Sequence, residues 1–264
     1  MPTVTTHAPG TFNWPELATS DPNAAKKFYT TLFGWQYKDQ DMGPQGVYTI
    51  FTREGADCAA VYTMDAGQAS TGTPPYWGTY ITVEDADAAA AKAKSLGGTV
   101  LMEPFDVMEH GRMAVITDPQ GATFCVWQAK KHIGILVHGE PGSLGWTQLN
   151  AKDTGVAKKF YSELIGWKVQ DDAMPAEMGG GHYTTWLKAD GPAGGMMAMP
   201  PGVGAPSHWL PYFAVTNVDA TSKQASSLGA TTHVPPTDIP GTGRFAVLGD
   251  PQGAVFAVLT FTKT

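Results

Sequence analysis

Residues 116–127, ITDPQGATFCVW, return near the end of the chain as residues 248–259, LGDPQGAVFAVL. The offset is 248 − 116 = 132 residues, half of the 264-residue chain. In both copies Asp-Pro-Gln-Gly is a turn signal, because proline fixes φ at the second position and glycine closes the turn. Apolar residues alternate on both sides, so each half is predicted to end in a β-hairpin. The last strand of each hairpin would direct one set of side chains inward: Thr123, Cys125 and Trp127 in the first copy and Val255, Ala257 and Leu259 in the second.

A second block repeats with the same offset, since DPNAAKKFYTTLFGW at 21–35 matches DTGVAKKFYSELIGW at 153–167. Asp21 is a helix N-cap, Pro22 suits a first turn and Gly34 ends a helix, so a helix is predicted over 22–32. A strand is expected before it and three strands after it. A loop rich in Gly, Ser, Thr and Pro is expected at 66–75.

Each half is also a weaker internal repeat. The helix ends Leu32 and Leu96 lie 96 − 32 = 64 residues apart, which aligns Trp14 with Gly78. The chain is therefore predicted to contain four β-α-β-β-β modules. We expect a first domain at 9–129 (modules 11–65 and 75–129), a linker at 130–143 and a second domain at 144–262 (modules 144–200 and 206–262).

Composition restricts the partners. The chain has 17 Lys and Arg against 24 Asp and Glu, a net charge of −7, which argues against a nucleic-acid surface. No run approaches 18 apolar residues and residues 1–10 lack a secretion signal, so no membrane partner is expected. The only two cysteines, Cys58 and Cys125, form no disulfide framework. A cytoplasmic protein with a small-molecule partner is the expectation.

The two blocks together resemble a known superfamily. The order of elements in each half resembles that of the vicinal oxygen chelate group. It consists of an Asp-led helix ending in Phe-Tyr-x-x-Leu-x-Gly-Trp, three strands, and a second unit ending in Asp-Pro-x-Gly. That group includes glyoxalase I, extradiol dioxygenases and the fosfomycin- and bleomycin-resistance proteins. The blocks PFDVMEHGRMAVITDPQGA at 104–122 and AKKHIGI at 129–135 resemble tandem two-domain glyoxalase-like proteins of actinobacteria, often labelled hydroxylases.

The resemblance implies an α+β fold with two tandem glyoxalase-like domains, each a pair of βαβββ modules forming a half-barrel sheet. It also implies a substrate and a divalent metal on the concave floor. The positions of the family's metal ligands fall on Trp14, Gly78, Cys125 and the region 48–50, and on Trp146, Leu210, Ala257 and the region 183–185. One thiol cannot replace the three or four ligands that such a metal needs. We therefore predict no metal site and no cofactor, although the resemblance leaves a divalent metal open.

The side chains predicted on the concave floor of each sheet are mainly aromatic. The predicted ligand-binding residues are Trp14, Tyr80, Cys125 and Trp127 in the first domain and Trp146, Gln148, His208 and Tyr212 in the second. Aromatic walls with a few polar groups are typical of a pocket for a flat or apolar small molecule. The alternative is that these side chains are ordinary core residues.

Glu16 is the candidate catalytic residue. Burial among Trp14, Tyr80 and Trp127 would raise its pKa toward the range of a general base, whereas its counterpart Gln148 cannot titrate. The alternative is a water-exposed Glu at the rim, with Pro15 tilting the strand.

Two functions follow from these residues. The first is a metal-independent small-molecule-binding protein with an aromatic-lined pocket in each domain. The alternative is an enzyme using Glu16 as general base, with or without a divalent metal; it would be a glyoxalase-like lyase or an oxidoreductase, including the hydroxylase-like kind. Because tandem domains supply the pairing that single-domain relatives obtain by dimerising, a monomer is expected.

Other charged and titratable residues are assigned structural roles. Arg112 and Arg244 recur at the same offset, and their expected partners are Asp106 and Asp238, six residues upstream. His132 and His138 of the linker are expected to be solvated.

Overall fold

The computed structural model describes residues 3–70, 72–199 and 204–262. The described residues form two mixed eight-stranded sheets, each built from one half of the chain. None of the helices described in these ranges is long and apolar enough to span a bilayer. The chain therefore has the expected α+β class, with one eight-stranded sheet and its helices per half.

The first sheet and its helices make up what we call the first domain. Their bounds, in chain order, are β1 (Phe12–Thr19), α1 (Pro22–Phe33), β2 (Gln36–Asp41), β3 (Val47–Arg53), β4 (Ala56–Thr63), α2 (Ala66–Ser70), β5 (Tyr76–Thr82), α3 (Ala86–Ser95), β6 (Thr99–Val107), β7 (Gly111–Thr117) and β8 (Thr123–Ala129). The order across the sheet is β2-β3-β4-β1-β5-β8-β7-β6. The two modules thus meet where β1 pairs with β5.

The second domain repeats this order as β10-β11-β12-β9-β13-β16-β15-β14. Its elements are β9 (Leu144–Ala151), α4 (Thr154–Ile165), β10 (Lys168–Ala173), β11 (His182–Lys188), β12 (Gly191–Ala198), β13 (His208–Ala214), α5 (Val218–Ser227), β14 (Thr231–Ile239), β15 (Gly243–Gly249) and β16 (Val255–Phe261). The expected module boundary at residue 200 lies outside the described residues.

The predicted hairpin is present in both domains. Strands β7 and β8 pair antiparallel from Thr117 opposite Thr123, and the turn between them is residues 118–122. The buried Asp118 carboxylate holds that turn, because its Oδ1 accepts from the backbone N–H groups of Gln120 (2.8 Å) and Ala122 (2.9 Å). Asp250 holds the second turn in the same way. The motif therefore folds through local hydrogen bonds that its own residues supply.

The predicted helix caps are also present. The Asp21 side chain accepts from Ala24 N at 3.0 Å, and Gly34 ends α1 with φ of 70°, a left-handed conformation that favours glycine. The expected loop at 66–75 instead contains the short helix α2, closed by reciprocal hydrogen bonds between Asp65 and Gln68. Residue 71 of that loop lies outside the described residues.

The helix-bearing faces of the two sheets pack against each other across the domain junction. Phe28 of α1 contacts Phe256 of β16, and its counterpart Phe160 of α4 contacts Phe124 of β8. Two reciprocal hydrogen bonds cross the same junction: Tyr29 Oη donates to Asp250 Oδ2 (2.9 Å) and Tyr161 Oη to Asp118 Oδ2 (3.2 Å). Each repeated helix is thus tied to the repeated turn of the other domain, which leaves the opposite face of each sheet for a site.

The repeated arginines have structural partners, as expected, but the main partner differs. Arg244 Nη1 lies 2.7 Å from Asp238 Oδ1, whereas Arg112 Nη1 lies 3.6 Å from Asp106 Oδ1. Both guanidinium groups make a two-pronged contact to an aspartate in a helix first turn, Asp87 in the first domain and Asp219 in the second. These partners were not predicted from the sequence, because they lie 25 residues upstream of each arginine.

Candidate functional site

The inner face of the first domain's sheet, which we call the concave face, carries the predicted site residues. Strand register places Trp14 beside Tyr80 and Tyr80 beside Cys125, so their side chains share one face. Trp127 continues this face, with its ring 6.2 Å from that of Tyr80. The four predicted ligand-binding residues of the first domain are therefore brought together.

Glu16 lies in the middle of the concave face on β1 and is half-buried. Its Oε1 accepts from the Tyr48 hydroxyl at 2.6 Å, and its Oε2 accepts from the Tyr80 hydroxyl at 2.7 Å. Trp14 Nε1 donates in turn to the Tyr48 oxygen at 3.1 Å. Because these tyrosines come from strands on both sides of β1, they fix the carboxylate from two directions. The rim position considered for Glu16 is not observed.

The protonation of this cluster follows from its burial. Desolvation raises the pKa of Glu16, and the hydrogen bonds from Tyr48 and Tyr80 oppose that rise. Desolvation and the nearby Glu16 charge raise the pKa of both tyrosines well above the usual range. Both phenols therefore stay protonated and act as donors, which makes Glu16 the group that titrates here. Burial also raises the pKa of the Cys125 thiol.

A second polar cluster closes one end of the concave face. The Gln68 side-chain amide of α2 donates to the hydroxyls of Tyr62 (3.2 Å) and Tyr76 (3.0 Å). Desolvation is the main cause that raises the pKa of both tyrosines, and the negative charge of Glu16 contributes further, which places them in its electrostatic range. Sequence reasoning missed Tyr62, Tyr76 and Gln68, although the spacing of Tyr48, Ile50 and Tyr62 on two paired strands signals a shared face.

The linker closes the opposite end. The His132 ring packs edge-on against Trp14, with centroids 4.6 Å apart, and lies 6.0 Å from the Trp127 ring. Trp127 Nε1 donates to the His132 carbonyl at 2.9 Å. The expectation that His132 is solvated is therefore wrong, and burial lowers the pKa of its imidazole. His138, by contrast, is exposed.

The second domain places different chemistry on the same positions. Gln148 replaces Glu16, and its Nε2 donates to Asn150 Oδ1 at 2.9 Å. The Asn150 amide in turn lies 3.1 Å from His208 Nε2. His208 Nδ1 lies 3.0 Å from the Pro206 carbonyl, which only accepts, so Nδ1 is the donor of this hydrogen bond. This chain of two amides and an imidazole has no carboxylate, so it differs from the first domain in kind.

The remaining predicted residues of the second domain also lie on its inner face. Tyr212 pairs with Trp146 across β13 and β9, and Trp146 Nε1 donates to Tyr183 Oη at 2.8 Å. Trp146 also lines a cavity of about 360 Å³ at the domain junction, together with His7, His138 and Lys188. Glu16 is not among the residues lining that cavity, so it is separate from the concave face of the first domain.

Comparison with protein families gives this arrangement a context. A family model described as the Glyoxalase/Bleomycin resistance protein/Dioxygenase superfamily matches residues 11–126 and again 143–258. The chain belongs to this superfamily. Each match covers one sheet and its helices, so the tandem duplication read from the sequence is a duplication of the whole superfamily domain.

Relatives that align with this chain over nearly their whole length are also found. The chain is 44% identical over 260 residues to a protein named putative glyoxylase CFP32 from Mycobacterium tuberculosis, covering 98% of each chain. It is 37% identical over 266 residues to the anthracycline biosynthesis protein DnrV of Streptomyces peucetius, covering 97% of this chain and 95% of DnrV.

Solved structures of superfamily members have the same fold at low sequence identity. The Mn(II)-bound glyoxalase from Novosphingobium aromaticivorans has a TM-score of 0.64 at 17% identity, covering 96% of this chain and 82% of that one. The 2,3-dioxygenase LapB from Pseudomonas sp. KL28 has a TM-score of 0.65 at 14% identity, covering 98% and 96%. These similarities establish the fold alone.

The metal that the superfamily implies does not fit the residues present. The positions expected to supply ligands in the first domain are an indole at Trp14, no side chain at Gly78 and a thiol at Cys125 whose pKa burial raises. The region 48–50 contains no carboxylate or imidazole, and its Tyr48 hydroxyl already donates to Glu16. Ala60, which pairs with Glu16 from the neighbouring strand β4, has no ligand atom in its side chain. Within the described residues, no three His, Cys, Asp or Glu side chains are grouped to hold an ion. The donor set is therefore too poor for a divalent cation.

Proposed function

We propose that the first domain is a metal-independent binding site for a planar aromatic molecule that carries a hydroxyl group. The observation that supports this proposal is the half-buried Glu16 carboxylate, fixed by Tyr48 and Tyr80 on an aromatic face. The ligand ring lies against the aromatic side chains, and its hydroxyl donates to Glu16. The second domain, which has Gln148 at this position, serves a different ligand or only a structural purpose.

The carboxylate has acceptor capacity left for a ligand. Two carboxylate oxygens offer about four lone-pair directions, and each oxygen of Glu16 accepts one tyrosine hydroxyl. A phenol that donates to the same oxygens forms a charge-assisted hydrogen bond, which is stronger than one between neutral groups. Desolvation disfavours the ionised carboxylate and so favours a ligand that brings a further donor.

The aromatic side chains favour a flat ligand. The Trp14 ring is held in place by its bond to Tyr48 and by contact with His132, so it forms a preorganised wall that costs little entropy on binding. Trp127 and Tyr80 extend that wall. The name of the relative DnrV, an anthracycline biosynthesis protein, is consistent with a fused aromatic ligand.

Calorimetric titration with 2-naphthol and 2-methoxynaphthalene tests the proposal, because the two probes share a ring system and only the first has a donor. In buffer containing EDTA, we expect 2-naphthol to bind with the tighter affinity. The Glu16→Gln variant should lose that preference, and the matched second-domain variant Gln148→Ala should keep it. Equal affinities for both probes, or binding that needs an added divalent metal, would overturn the proposal.

A second candidate function uses the same carboxylate as a general base. The raised pKa of Glu16 supports it, since a base works best when its pKa approaches the working pH. The reaction would be proton abstraction from a bound hydroxyl or from the carbon next to a carbonyl, of the glyoxalase-like lyase or hydroxylase-like kind. Unchanged turnover of an identified substrate by Glu16→Gln would remove this role.

A further inference from the structure

Gly78 lies directly beside Glu16, and neither its backbone conformation nor its packing requires a glycine at this position. The two residues pair across β1 and β5, so a side chain at position 78 would stand next to the Glu16 side chain on the concave face. The φ angle of Gly78 is not in the left-handed region. A Cβ built on it would meet only Glu16 O at 3.5 Å and the Tyr76 ring at 3.7 Å, which are ordinary contacts.

Other glycines on these sheets are required by packing. A Cβ on Gly111 would lie 2.3 Å from the Trp127 ring, and one on Gly195 would lie 2.0 Å from the Tyr183 hydroxyl. Gly78 has no such neighbour. The second domain proves that the fold accepts a large side chain at this position, because Leu210 is its counterpart, pairs with Gln148 and is 4% exposed. The position beside Glu16 therefore lacks the side chain that Leu210 supplies in the second domain, although the fold has room for one.

The next strand lines this space with hydroxyl groups. Tyr80 pairs with Cys125 in the parallel β5–β8 register. Extending that register by two residues toward the start of both strands puts Thr123 beside Gly78 on the same face. Thr123 is exposed, and its Oγ1 lies 3.2 Å from that of Thr117 on β7. The second-domain counterparts, Val255 and Gly249, have no hydroxyl. The polar lining is thus confined to the domain that has the carboxylate.

We propose that Gly78, Thr117 and Thr123 form a slot that receives a second oxygen atom of the ligand bound at Glu16. This inference rests on the proposed function and specifies its ligand class. The backbones of Glu16 and Thr123 lie two strands apart, about 10 Å across the sheet, and we take this spacing as the approximate separation of their side-chain oxygens. Two hydrogen bonds of about 2.8 Å each leave roughly 4–5 Å between the ligand oxygens. That separation fits two oxygens on one aromatic ring rather than at opposite ends of a fused system.

Isomeric dihydroxynaphthalenes test the slot. We expect 1,3-dihydroxynaphthalene, with both oxygens on one ring, to bind more tightly than 2-naphthol or 2,6-dihydroxynaphthalene. The Thr123→Val variant, which keeps the side-chain shape, should weaken 1,3-dihydroxynaphthalene binding about 3- to 10-fold and leave 2-naphthol unchanged. Gly78→Ala should weaken 1,3-dihydroxynaphthalene binding roughly 10-fold, because a methyl group occupies the slot, and should affect 2-naphthol less.

A stability measurement separates the slot from a folding role. Gly78→Ala should melt at or above the wild-type temperature, because alanine loses less conformational freedom than glycine. A large fall in melting temperature would show that the fold needs the glycine and would overturn the slot. Equal 1,3-dihydroxynaphthalene affinities in wild type and Thr123→Val would also overturn it, while 2-naphthol binding lost in Glu16→Gln would leave the proposed function standing. If the wild type binds neither naphthol, both proposals fail.

Discussion

Replacing Tyr161 by Phe should destabilise the whole chain, because it removes a fully buried hydroxyl that joins the two domains. Tyr161 Oη donates to Asp118 Oδ2 at 3.2 Å and accepts from Trp209 Nε1 at 3.0 Å. Phenylalanine keeps the ring contacts but leaves the Trp209 N–H without this acceptor. It also removes one of the donors to the buried Asp118 carboxylate.

The expected size of the effect follows from those two hydrogen bonds. A hydrogen bond to a charged group contributes about 1.5–3 kcal/mol, and a buried donor left unpaired costs about 1–3 kcal/mol. The two losses share one hydroxyl and are not additive, so we expect a net loss of roughly 2–4 kcal/mol. For a chain of this size, each kcal/mol corresponds to roughly 2–4 °C, so the melting temperature should fall by roughly 5–15 °C.

Scanning calorimetry of three variants checks this reasoning. Tyr29→Phe breaks the reciprocal pair with Asp250 and Trp77 and should behave like Tyr161→Phe. Tyr183→Phe is the matched control: its half-buried hydroxyl accepts from Trp146 on the inner face of the second domain and does not bridge the domains. We expect a fall of under about 3 °C for this control. If Tyr161→Phe melts like Tyr183→Phe, the crossed hydrogen bonds do not stabilise the junction.

Three further predictions concern the whole chain. Folding raises the pKa of Glu16, so the folded state binds the proton more tightly and wild-type stability falls as pH rises through that pKa. The melting temperature of Glu16→Gln should therefore exceed that of wild type by more at pH 8 than at pH 4. A difference that does not change with pH would contradict this. Because residues such as Phe28 and Phe213 of different domains share one core, calorimetry should show a single unfolding transition, and two separate transitions would contradict a shared core. Sedimentation velocity should give a monomer at all concentrations tested, whereas a concentration-dependent value would refute that expectation.

Local signals in the sequence predicted much of the fold. The Asp118 turn and the Asp21 cap satisfy their own backbone within a few residues, so their motifs are sufficient to identify them. The duplication of the turn and the helix predicted the four modules, and the family resemblance carried by the same blocks implied the fold class. The helix α2 was missed because its five residues have no apolar period, and the composition of 66–75 is typical of a loop.

Contacts between segments far apart in the chain could not be predicted from the sequence. The Tyr29–Asp250 bond joins residues 221 positions apart, and only the packing of the two domains brings them together. The linker position of His132 depends equally on where the chain leaves the first sheet. Glu16 could be identified because alternation placed it among aromatic side chains, but its two tyrosine donors come from β3 and β5, whose places on either side of β1 depend on the order of strands in the sheet.

The most direct test of the account is an NMR titration of the Glu16 carboxyl carbon with and without 2-naphthol. We predict that the Glu16 pKa lies above the ordinary range in the free protein, because burial outweighs the two tyrosine hydrogen bonds. When the phenol is bound the pKa should be lower, because a further donor stabilises the carboxylate. A Glu16 carboxyl that titrates at an ordinary value and does not respond to 2-naphthol would contradict the proposed site.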